Sequence, residues 1–93
     1  MNRGDQFVID SIKMDLYRVF HASADLNKPF PTQYVNTFLN NAYQDFEKLK
    51  NIGRYGEFQK QIKQLTQKSY SFLEDPRERL RWSEDVLTIR ARM

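Results

Sequence analysis

Asp5-Gln6-Phe7-Val8-Ile9-Asp10-Ser11-Ile12-Lys13-Met14-Asp15-Leu16-Tyr17-Arg18-Val19-Phe20-His21-Ala22 decides the fold class. Phe7, Val8, Ile12, Leu16, Val19 and Phe20 recur at steps near three and four, the period of an α-helix with one apolar stripe. No strand-like alternation competes with that period. The stretch predicts a first helix over about Asp5–Ala22, with Gly4 and Asp5 at its start and the Asp5 carboxylate capping an N–H group. A helix with one oily side needs partners to cover it, so the rest of the chain must supply them.

The chain does so three more times. Ser23 to Pro31 is a linker, because Pro29 and Pro31 push their preceding residues out of the helical region. Leu26 and Phe30 are expected to tuck against the domain. Thr32 is expected to cap a second helix reaching about Lys50, with Val35, Phe38, Leu39, Ala42, Phe46 and Leu49 inward. Asn51-Ile52-Gly53 stops it, Gly53 suiting a left-handed cap. A third helix runs from Arg54 to Leu73, with Tyr55, Phe58, Ile62, Leu65, Ser69 and Phe72 inward. Asp75 and Pro76 fit the N-cap and first position of a fourth helix, Pro76 to about Arg90, which buries a subset of Leu80, Trp82, Val86, Leu87 and Ile89. The fold class is therefore all-α: a compact antiparallel four-helix domain of three longer helices and a C-terminal helix, with residues 1–93 forming one domain.

Composition agrees. Seven Phe, five Tyr and one Trp in 93 residues supply a core, and only three Gly and three Pro interrupt it. The formal charge is +3. The half from residue 47 onward carries all of the surplus, with eleven basic and seven acidic groups against four and five before it. The absence of cysteine removes disulfide and thiolate chemistry and fits a reducing cytoplasm. The opening residues lack a signal-peptide core, and no run approaches the roughly 20 apolar residues of a membrane span. A cytoplasmic location is expected.

One junction carries a resemblance. Ser69-Tyr70-Ser71-Phe72-Leu73-Glu74-Asp75-Pro76-Arg77-Glu78-Arg79 resembles the end of a J-domain, the Hsp70 co-chaperone module, where Ala-Tyr-x-x-Leu-x-Asp-Pro-x-x-Arg joins the third helix to the fourth. Ala42-Tyr43-Gln44-Asp45-Phe46 is similar to that family's Ala-Tyr-Arg-Lys-Leu run, and Leu16-Tyr17-Arg18-Val19-Phe20 to its first-helix opening. The resemblance implies four helices and a docking role. The family's His-Pro-Asp tripeptide is replaced by Asn51-Ile52-Gly53, so stimulation of Hsp70 ATPase is not implied.

Catalytic chemistry is scarce. His21 is the single histidine, and with no cysteine it cannot assemble an ordinary zinc site. The carboxylates are scattered or sit at helix starts. No nucleophile elbow, Ser-x-x-Lys or phosphate-cradling glycine loop occurs. Neither an enzyme nor a cofactor, metal or small-molecule substrate is expected. Lys48, Lys50, Lys60, Lys63 and Lys68 lie along the central helices, and Arg77, Arg79, Arg81, Arg90 and Arg92 along the last; acidic residues interrupt both sets, which weakens a nucleic-acid reading. Tyr34, Tyr43, Tyr55, Tyr70 and Trp82 exceed what a small core needs, and such residues anchor interfaces. The expected function is a non-enzymatic protein–protein interaction module, with another protein or a second copy as partner. A nucleic-acid-binding accessory protein using the last helix is the alternative. The candidate interaction surface is Tyr70, Arg77, Arg81, Trp82 and Arg90.

Overall fold

A computed structural model describes residues 3–67 and 74–93. Within them the chain forms α1 (Arg3–Ala24), α2 (Thr32–Phe46), α3 (Tyr55–Gln67) and α4 (Pro76–Arg92). The expected end of the third helix at Leu73, its inward Ser69 and Phe72, Lys68 and the candidate Tyr70 lie outside the described residues.

α1 is the organising element. Its covered line packs against both α2 and α4, while α3 packs on α2 and touches α4 lightly. Three sets of contacts make the neighbours antiparallel. Along α1 and α2, Ser11 Oγ donates to Asp45 at 3.3 Å and the Arg18 guanidinium lies over the Phe38 ring. Along α1 and α4, Ser23 meets Ser83 and Arg90 reaches Lys13. Along α2 and α3, Gln59 donates to Glu47 and, one turn on, the Lys63 ammonium lies over the Tyr43 ring.

The core follows from helical period with one shift of phase. On α1 the fully covered line is Ile9, Ile12, Leu16 and Val19, flanked by buried Asp5 and Ser23. Phe7, expected inward, is 76% exposed. At 100° per residue Phe7 lies on the opposite side of the helix from that line, so α2 and α4 cannot cover both. Val8 and Phe20, one step off the line, are half-buried against the core. Val35, Leu39, Ala42, Phe46, Ile62 and Val86 are the other fully buried apolar residues among those described.

Helix ends differ from expectation in physically simple ways. α1 starts before Asp5, and the Asp5 carboxylate accepts from the Lys50 and Asn51 N–H groups at 3.0 and 3.3 Å. That clasp ties the start of α1 to the segment after α2. α2 ends at Phe46 and not at Lys50, with Glu47 as its C-cap. Leu49 still reaches the core from the turn that follows. Pro31, not Thr32, occupies the N-cap of α2, without a side-chain bond. Gly53 does adopt a left-handed φ of +45°, but in the turn that leads into α3. Asp75 caps α4 as expected: its Oδ1 accepts from Arg77 N–H at 2.8 Å, and Pro76 follows at the first turn. α4 continues to Arg92, and Arg54 donates to the terminal carbonyls of Arg92 and Met93.

Candidate interaction surface

One of the residues expected to anchor a surface on the last helix is buried instead. Trp82 is 2% exposed; its ring stacks edge-on against Phe30 of the linker at 5.4 Å. Trp82 is therefore a core residue and not a docking anchor, because the linker folds back over it. Phe30 is tucked in as expected, while Leu26 is exposed. Arg77 and Arg81 are exposed, and Arg81 lies 3.6 Å from Glu78 one turn away. Arg90 is half-buried: its Nε donates to the Lys13 carbonyl at 3.1 Å and its guanidinium stands 5.3 Å from the Tyr17 ring. Of the four described candidates, Arg77 and Arg81 flank exposed Leu80 on the outer side of α4, whereas Arg90 borders the outer face of α1 at Tyr17.

Arg79 was not a site candidate, yet it organises this end of the molecule. It is buried, and its three guanidinium nitrogens donate to the carbonyls of Ser23, Lys28 and Asp25 at 2.6, 2.6 and 2.7 Å. Those carbonyls belong to the last turn of α1 and the linker, past which the helix supplies no further N–H groups; the Asp25 carbonyl also accepts from a backbone N–H, that of Lys28 at 3.2 Å. A planar fork with five donors suits such a set of acceptors, and a cation at a helix C-terminus also meets the negative end of the dipole. Phe30 covers the guanidinium at 5.5 Å. Below it, Ser23 and Ser83 touch hydroxyl to hydroxyl at 2.7 Å, small residues that let α1 and α4 approach closely. The Asp-Pro-x-x-Arg spacing thus has a local meaning: Asp75 starts the helix and Arg79, one turn later, clamps the linker.

With the linker held, an open groove of about 470 Å³ forms beside it, lined by Tyr17, Arg18, His21, Lys28, Pro29 and Tyr34 among others. It continues into the outer face of α1. Phe7, Met14 and Tyr17 stand there 76, 50 and 44% exposed, with Asp10 and His21 exposed between and beyond them. Phe7, Met14 and His21 are seven residues apart, and Asp10 and Tyr17 fall between at the same interval. The line is straight along the helix. His21 packs edge-on against Tyr17 at 4.2 Å, so it extends the aromatic line. Tyr34 lies across the groove against Phe38. The residues that sequence reasoning missed as a surface, Met14 and Tyr17, and the one it placed inward, Phe7, fall with Asp10 on alternating steps of three and four, which was the available signal.

Charge on the face is mixed. Arg18 bonds Asp15 at 2.9 Å, and Lys28 lies 3.9 Å from Asp25. Burial raises the Asp15 carboxyl above its usual range and nearby Asp45 adds to that, while the Arg18 hydrogen bond and charge pull it back. Lys48 is raised by its hydrogen bond and charge pairing to Asp45. Among the described residues no group of three or more His, Asp or Glu is placed to hold a metal ion, and no helix is long and apolar enough to cross a membrane. No protein-family model, curated protein or solved structure matches the chain.

Proposed function

We propose that this chain is a non-enzymatic protein-interaction module that docks through the outer face of α1 and the adjoining linker groove. One observation carries the reading: three large apolar side chains, Phe7, Met14 and Tyr17, lie exposed on one line of a 22-residue helix whose opposite line is fully covered. Isolated exposed apolar residues are ordinary, whereas an aligned set beside an aromatic-walled groove matches the composition of interface centres. The helix supplies a rigid platform, and the Arg79 clamp fixes the groove wall before any partner arrives, which lowers the ordering cost of binding. The J-domain resemblance supports the same class of role, a docking module; with Asn51-Ile52-Gly53 where that family has His-Pro-Asp, activation of Hsp70 is not part of the proposal.

The nucleic-acid alternative loses its main support. Arg79, Arg90 and Arg54 spend donors on backbone carbonyls of the fold, and Arg81 sits beside Glu78. What remains is too interrupted for a phosphate-tracking surface.

The immobilised chain and a Phe7→Ser/Tyr17→Ser variant of unchanged helicity would be exposed to an extract of source cells. A polypeptide retained by the first and lost from the second is expected. Identical retention on both would remove this face from the function.

A further inference from the structure

We infer that the partner of the α1 outer face is a second copy of this chain, paired antiparallel along α1. The inference rests on the proposed docking role and names its occupant.

Spacing gives the mode. Phe7, Asp10, Met14, Tyr17 and His21 alternate steps of three and four, the seam of a two-helix coil. The seam of the opposite line is already filled by α2 and α4, so this one is available only to something outside the molecule. Charge gives the direction. A parallel pair would set Asp10 against Asp10 and align the two helix dipoles. In an antiparallel pair the long side chains alternate instead, with Phe7 of each copy on Tyr17 of the other and Asp10 on Met14. Asp10 then arrives at the level between Lys13 and Tyr17 of the second copy. There Arg90 is already fixed, its Nε on the Lys13 carbonyl and its guanidinium against the Tyr17 ring. Each copy thereby offers one exposed carboxylate and receives it beside a preplaced guanidinium. The same two-fold operation makes both contacts at once.

Size sets the strength. Large side chains bury about 150–250 Å² each, so the exposed parts of Phe7, Met14 and Tyr17 from two copies amount to roughly 600 Å², and flanking residues bring the total near 1,000 Å². That is the lower edge of a specific interface, and a dissociation constant on the order of 10–100 µM is expected.

Sedimentation equilibrium of the full chain from about 5 to about 500 µM tests the association over that range. A monomer–dimer equilibrium is expected, weakened at least about tenfold by Phe7→Ser/Tyr17→Ser and by Asp10→Lys. Because the chain has no cysteine, single nitroxide labels at Lys13→Cys and Gln6→Cys then read the direction. In the antiparallel pair the two Lys13 labels lie close, whereas the Gln6 labels are about 18 Å apart along the axis. Close labels at both positions would mean parallel pairing and overturn the inference, as would a dimer indifferent to Phe7 and Tyr17. A chain that stays monomeric at the highest concentration overturns self-pairing alone: a different polypeptide that still required Phe7 and Tyr17 for capture would leave the docking role standing.

Discussion

The two sides of α1 carry similar side chains and have opposite fates. Ile9, Ile12, Leu16 and Val19 are sealed between α2 and α4, while Phe7, Met14 and Tyr17 on the other side meet solvent. Hydrophobicity does not separate the two sets. What separates them is the chain's supply of partners: two helices can flank α1 on one side only, and polar groups anchor that side at both ends. Asp5 clasps the Lys50 and Asn51 N–H groups at one end, and Ser23 meets Ser83 and Arg79 at the other. The apolar residues between those anchors become core. Those outside the anchored phase become surface.

Breaking an anchor is the most damaging change. Arg79→Ala removes three short bonds and leaves the Ser23 and Lys28 carbonyls without this donor, the Asp25 carbonyl keeping only the Lys28 N–H at 3.2 Å. Bonds to a charged donor are worth about 1.5–3 kcal/mol each and are not additive, so a loss of about 4–5 kcal/mol is expected from urea denaturation. Against a total of about 5–15 kcal/mol this brings the domain close to unfolding. Arg79→Lys should recover only part of it, because an ammonium cannot span three carbonyls in one plane. Full recovery by lysine would show that charge, and not the forked geometry, holds the linker.

Next in size is the core line itself. Leu16 is fully covered, and Leu16→Ala is expected to cost about 3 kcal/mol through lost burial and the cavity left behind. A cost below about 1 kcal/mol would mean that α2 and α4 close the gap easily, and that the inner side is less tightly packed than its burial indicates.

A smaller effect marks the border between the two sides. Burial holds the Asp15 carboxyl above its ordinary value, more than Arg18 draws it down. The folded chain therefore keeps this proton at a pH where the unfolded chain has released it. That contribution to stability is complete below the unfolded value near 3.8 and is lost as pH rises through the folded one. Asp15→Asn cannot ionise, so its melting temperature relative to the parent should climb as pH is raised from below 3.8 toward neutrality. A parent that gains on the variant over the same range would make the Arg18 pairing the dominant influence.

How much of this was legible in the sequence varies by residue type. Ile12, Leu16, Val19, Val35, Leu39, Ala42, Phe46, Ile62 and Val86 declare themselves by helical spacing, and Asp75-Pro76 declares the start of α4. Phe7 does not, because a list of apolar positions contains no phase; only its half-turn offset from Ile12 and Leu16 reveals the second line. Trp82 misleads for a related reason. Large aromatics serve cores and interfaces alike, and the decision rests on Phe30 returning across a linker whose path no local signal specifies. Arg79 is the least legible. Its neighbours Arg77 and Arg81 are solvated, and nothing in the residue type says that one of three alternating arginines will face three carbonyls more than fifty positions away in sequence. Long-range acceptors of that kind exist only after the linker has folded.

The smallest stability effect is the sharpest test of the comparison. At 76% exposure Phe7 contributes little burial to the fold, and Phe and Ser have nearly equal helix propensity. Phe7→Ser is therefore expected to change the unfolding free energy of the dilute, monomeric chain by no more than about 0.5 kcal/mol, against about 3 kcal/mol for Leu16→Ala about two and a half turns away. Concentration supplies the second half of the test. Anything that binds the folded chain and not the unfolded one raises its apparent stability by mass action. The parent's melting temperature should thus rise with protein concentration, and that of Phe7→Ser should stay flat. A large loss already present in dilute solution would return Phe7 to the core and merge the two sides of α1 into one.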